Sequence, residues 1–544
     1  MTGGRLVLGA WLSPFKGGGA KMRKVKMRKE MKMRIKMTAL SIALASAGCL
    51  FAGSAPVVEF AGRSVPVMEA RISAMPFNRV WPGHQRDISQ SRLSRFVSFD
   101  VEGNGGELSI GFADAVPEKA RIRPFSRAQP VRRDGKWIVR IDGPEQFVIE
   151  FGDTELHVFA DPPWTYEPVP NERYFGPGEH DVGTILPRSG ETVTIDRDAV
   201  VYGNIVLAAV TNVTIRGRGV LCGSRLERIE PAKVGSSDSA GVRECLRRGW
   251  TDAAEWGTSP VLAKQCANVR VGGIVFRDAA YWTMNFVECD GVDIDGVKMI
   301  GMWRYNSDGI DICASRNISI RNCFLRTFDD CVVARPPCRN MRVENCVLWC
   351  DWNWNIKIQH SFAPSVMEDI VFRNIKAVNV DSALAGITTR WGSENSTIRN
   401  VRLSNVEADV PPERLRGVFQ RSDETRFTEL PPASLTLVLL HAYSLGKPAD
   451  NQGAKSGYQG PPVAVDENWF RILYEDIDCE DFAVYAAPGK RVEDGLGYPI
   501  TASVRTVAPR HEVRNVRLKG FPSGLRLQKS QKKGSIHDVE CVSK

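Results

Sequence analysis

The sequence predicts an all-β protein: a parallel β-solenoid preceded by a small antiparallel β-sandwich. Two observations carry this. Residues 57–163 run as short stretches of alternating apolar and polar residues, with Gly, Pro and Asp at the breaks. From residue 174 a unit recurs in which Asn or Gly is followed by Val/Ile, a polar residue, Val/Ile and a further apolar pair. Clear copies start at Asn268, Gly291, Asn317 and Asn340, 23 to 26 residues apart. A period in the low twenties with β-branched pairs, no helical spacing and no leucine framework points to stacked coils of parallel strand.

The N-terminus comes first. The net charge of +9 is misleading, because residues 1–36 hold eleven Lys/Arg and one Glu, so residues 37–544 carry only −1. A near-neutral body gives no footprint for nucleic acid, and none is expected as a partner. After Lys36 an apolar run too short to span a bilayer leads into small residues, the pattern of a secretory signal within 1–54. Cleavage near Ser54 is favoured over lipid attachment at Cys49, because no Leu stands three residues before that cysteine. A secreted, periplasmic or extracellular monomer without a membrane span is expected.

The sandwich is expected over 57–163, with strands such as Arg95–Val101, Leu108–Phe112, Lys136–Ile141 and Gln146–Phe151. A Pro-rich linker follows Asp161, and the solenoid is expected over 174–544. Insertions near 224–260 and 442–466 break its period, and polar loops on a rigid scaffold serve as binding walls or as unstructured decoration. The recurrent asparagines read as a ladder of turn amides. Of thirteen cysteines, none forms paired C-x-x-C motifs at zinc spacing, so no metal and no cofactor is expected, and stacked free thiols are the simplest account.

The stretch from Asn306 to Arg335 stands out. Asp308 precedes Asp329 and Asp330 by 21 and 22 residues, about one coil, so the three carboxylates are expected side by side. Like charges crowded together destabilise a fold unless function requires them. Asp311 is expected only to cap a turn. The next coil brings Trp354 and Lys357, the one after it Arg390, and nearby positions add Trp282, Trp303, Asn306 and Arg335. Carboxylates for acid/base work, cations for orientation and aromatic faces for sugar rings suit a glycan site. His180, His360 and His511 have no partner pattern and are expected to be structural.

At these residues the chain resembles the polygalacturonase-like right-handed β-helix glycoside hydrolases, family 28, with a layout similar to family 49 dextranases and isopullulanases. Asn306-Ser-Asp-Gly-Ile-Asp matches the family's N-T-D-G-I-D, and Asp329-Asp330-Cys331 matches its D-D-C. The resemblance implies a right-handed parallel β-helix of the pectin-lyase type. It also implies an inverting hydrolase, with Asp329 as general acid and Asp308 and Asp330 activating water. Inversion requires acid and base about 6.5–9.5 Å apart. Two motifs depart from the family. Its G-H-G is Asn353-Trp354-Asn355 here, and its R-I-K is Thr388-Thr389-Arg390. These are the uronate-reading parts, so a neutral or differently charged glycan fits as well as pectate. Two other functions suit the same scaffold: a polysaccharide lyase, and a non-catalytic glycan-binding helix.

Overall fold

The parallel coils follow from the repeat. Val213, Val269, Val292, Ile318, Met341, Ile370, Val401, Ile477 and Val516 are direct partners from coil to coil, and all are buried. Alternate residues point outward, because side chains on a strand change face at every step. The computed structural model describes residues 55–74, 88–229, 231–250, 257–361, 365–380, 383–390, 395–410, 435–442, 471–492 and 499–543. The leader region and, past residue 442, the insertion expected near 442–466 lie outside them. No helix among the described residues is long and apolar enough to cross a membrane.

From Glu172 onward the described strands join in one 29-stranded system, almost every strand pairing in parallel with its copy one coil on. The asparagines of the repeat sit where the coil turns. Asn268, Asn317 and Asn340 have φ of 53°, 60° and 52°, a conformation that Asn tolerates better than most residues. Asn340 donates to Asn317 at 2.8 Å, and Asn317 to Asp290 at 2.7 Å. A second ladder runs through Asn345, Asn374 and Asn405. The twelve described cysteines are free and mostly buried.

Ahead of the coils the described residues form two five-stranded sheets. They are not wholly antiparallel as expected, because Ser91–Asp100 and Thr154–Asp161 pair in parallel. The physical reason is burial on both faces, the usual setting for parallel pairing. Val97, Ile149 and Val158 pack into the core between the two sheets. Their neighbours Phe96, Val148 and Phe159 pack the other way, onto Val275, Ile300, Phe324 and Trp349 of the coils. Buried ion pairs accompany that contact: Lys298 with Asp161, Arg326 with Glu155 at 2.5 Å, and Arg123 with Asp409 at 2.9 Å.

The insertion over 224–260 carries a helix. A short helix, Ala240–Arg247, is capped by the Ser239 hydroxyl, which accepts from the Val242 amide. Cys245 and Trp250 pack on Val206 and Leu262 of the coils.

Candidate active site

Asp308 lies in the turn before the strand Ile310–Cys313, and Asp329-Asp330 in the turn before Val332–Arg335. The register pairs Ile310 with Val332 and Val332 with Ile356, which stacks the turns. The Gly309 amide donates to the Asp330 carbonyl at 2.9 Å. A Cβ at 309 would stand 2.3 Å from the Cys331 carbonyl oxygen, so only glycine admits this approach. Asp308, Asp329 and Asp330 are buried, and carboxylate oxygens of all three lie within 4.8 Å of one another.

Their surroundings differ. Asp330 accepts from Lys357 Nζ at 2.5 Å and from the Trp354 amide at 3.1 Å. Asp329 accepts from Asn353 Nδ2 at 2.8 Å and from the Asp330 amide at 3.0 Å. Asp308 meets Arg335 Nη2 at 3.8 Å, and its Oδ1 has no hydrogen-bond partner among the described residues. Burial, then the neighbouring Asp330 charge, push the Asp329 pKa up, opposed by Lys357 and Asn353. Asp308 is pushed well up by burial and by repulsion from Asp329, Asp311 and Asp330. Buried carboxyls sharing negative neighbours retain protons, as a general acid must. Three oxygens this close could also hold a cation, but Lys357 and Arg335 already supply positive charge there.

Asp311 does not cap a turn. It lies within the strand, fully buried, and accepts from Arg335 Nε at 3.2 Å. Burial, chiefly, raises its pKa to about 7. The signal was in the alternation: Ile310 and Ile312 enter the core, so Asp311 must face outward, as do Arg335 and Lys357. Asn353 was also missed, although it lies in the N-W-N that replaces G-H-G. Arg228 had no local signal. It reaches in from the insertion, donating to the Tyr305 carbonyl at 3.1 Å and to Asn306 Oδ1 at 3.3 Å.

The aromatic residues are already engaged. Trp282 stacks on Tyr281 with ring centroids 5.1 Å apart, and Arg335 lies 4.5 Å from its centroid. Arg228 lies 4.6 Å from the Tyr281 ring, so the two rings form a column between two cations. Trp303 is buried, its indole N–H on Asp278 at 2.6 Å. Trp354 lies against Gly386, where a Cβ would come 2.3 Å from the indole, with Lys357 Nζ 5.1 Å from the ring. Asn306 is half-buried in a left-handed turn with φ 52°. Arg390 ends the strand Ala383–Arg390, but its side chain lies outside the described residues, as do Trp391 and the side chain of His360. His180 bonds the Gly176 carbonyl, and His511 is buried on the Ala442 carbonyl.

Residues 257–409 match the family model described as glycosyl hydrolases family 28. The likeness takes in all four aspartates. Exopolygalacturonase X of Aspergillus niger is 32% identical over 197 residues, which is 32% of this chain and 42% of that protein. Exopolygalacturonase B of Aspergillus niger is 24% identical over 165 residues, 27% of this chain and 37% of that protein. The chain therefore spans less than half the length of these relatives. Among solved structures, Dex49A from Penicillium minioluteum superposes with a TM-score of 0.52 at 13% identity, covering 89% of this chain and 93% of that one. The shared architecture is the right-handed parallel β-helix.

Proposed function

We propose that this protein is a glycoside hydrolase that cleaves O-glycosidic bonds of a polysaccharide, with Asp329 as general acid. One observation carries the reading: three buried carboxylates meet, one of them in an ion pair with Lys357 and the other two with raised pKa. Asp329 would protonate the glycosidic oxygen. Asp330, with Asp308, would take a proton from the attacking water. Polygalacturonase-like action draws support from the family match, and dextranase-like action from the layout.

We infer inversion at the anomeric carbon. Both Asp330 oxygens are occupied, by Lys357 and by the Trp354 amide, which holds the carboxylate as a proton acceptor and blunts it as a nucleophile. The alternative is direct attack by a carboxylate with retention, for which the carboxyl pair stands about 5–5.5 Å apart. Proton NMR of the first-formed product separates the two by its anomeric configuration.

The test of the hydrolase is Asp329→Asn. Reducing-end release should fall by about 10²–10⁴-fold with the circular dichroism unchanged. Wild-type release by that variant would remove Asp329 from the mechanism. An unsaturated, ultraviolet-absorbing product would establish a lyase instead. Export is inferred from the basic and apolar run over 1–54, and fractionation of the producing cell tests it.

A further inference from the structure

The cations of the site are spent on its own acids. Lys357 Nζ is bound to Asp330 Oδ2 at 2.5 Å. Arg335 directs Nε and Nη2 at Asp311 Oδ1, each 3.2 Å away, and one face of its guanidinium packs on Trp282. The Nε–Nη2 edge is one that grips a carboxylate with two bonds, and Asp311 holds it. Among the described residues, four buried carboxyls face two cations here. A uronate entering would compete with Asp330 and Asp311 for Lys357 and Arg335, the cations that face them among the described residues.

The unsatisfied atoms point the same way. Asp308 Oδ1, Asp311 Oδ2 and Gln359 Oε1 are buried without hydrogen-bond partners among the described residues. Gln359 follows Lys357 on the outward face of the strand Ile356–Ser361, whose Ile356 and Ile358 enter the core. Gln359 Oε1 is an acceptor, and the two carboxyl oxygens accept when bare and donate when protonated. A sugar hydroxyl satisfies them in either state, and an ionised carboxylate only where they carry a proton.

We propose that the sugar bound over Asp311 and Arg335, beside the three aspartates, is uncharged, so that the substrate is a neutral glycan and not a polyuronate. The inference rests on the hydrolase reading. Arg335 is then a positioning residue for Asp308 and Asp311.

The experiment compares polygalacturonic acid with the same polymer after carboxyl reduction, which keeps linkage and length and removes charge, with dextran as a second neutral polymer. A neutral polymer should be cut at least about tenfold faster than the polyuronate at low salt, and added salt should narrow the gap by screening repulsion. Faster release from the polyuronate overturns the inference and leaves the hydrolase standing. If none is cut, the hydrolase reading suffers, and binding decides the inference: Asp329→Asn should bind a carboxyl-reduced pentamer more tightly than the galacturonate pentamer. Equal or tighter binding of the acid overturns it. Asp311→Asn should release Arg335 and raise the acid-to-neutral binding ratio by about tenfold. An unchanged ratio would show that Arg335 is not the group Asp311 withholds.

Discussion

Asp311 shows how one side chain changes the account of the site. Its carboxyl is held near pKa 7 by burial against an ordinary 3.8. A group whose folded pKa is raised contributes stability in its protonated form. That contribution is complete below about pH 4 and is lost as the pH climbs through about 7. Asp308 and Asp329 act in the same sense. Asp311→Asn cannot ionise, so its melting temperature should gain on the wild type as the pH rises from about 4 to 7. Calorimetry across that window checks this, and a constant difference would mean that Asp311 titrates as it does in the unfolded chain.

At the scale of the element, the coil turns are as specific as the strands. Trp354 rests where Gly386 leaves room on the next coil, and it delivers its own amide to Asp330. Gly386→Ala would drive a methyl group to 2.3 Å from the indole. Overpacking of this kind costs about 1–3 kcal/mol. The variant should melt lower, show altered tryptophan fluorescence and lose activity beyond what the lost stability explains. Normal activity would dissociate the Trp354 turn from the placement of Asp330. The column Arg228–Tyr281–Trp282–Arg335 is a second such device, tying the insertion to the site through stacked rings.

Over the whole molecule, the two leading sheets act as a brace on one face of the coils. That face is apolar where outward residues would otherwise meet water, at Val275, Ile300 and Phe324. Lys298 lies fully buried beneath it, paired with Asp161. Removing one member of a buried pair strands the other, at a cost of about 3–5 kcal/mol. Lys298→Met should therefore lower the melting temperature markedly. The double variant Asp161→Asn/Lys298→Met should recover most of the loss. A double variant no better than the single one would assign the effect to packing and not to charge.

Sequence alone determined the coil and brought its three aspartates together. The 23-to-26-residue period, the asparagine turns and the inward Val/Ile columns are local and repetitive, so they are legible one strand at a time. The spacing of Asp308 from Asp329 and Asp330, 21 and 22 residues, is close to that period, which made their convergence predictable. Tertiary structure decided what the period could not express. The parallel strand pair in the brace depends on burial of both its faces. Arg228 comes from outside the repeat. Trp282 and Trp303 were plausible sugar platforms by composition, yet one ring is stacked on Tyr281 with Arg335 over it and the other is buried on Asp278. Which acid each cation answers is likewise a matter of three-dimensional distance, and the proposed preference for an uncharged glycan rests on that pairing.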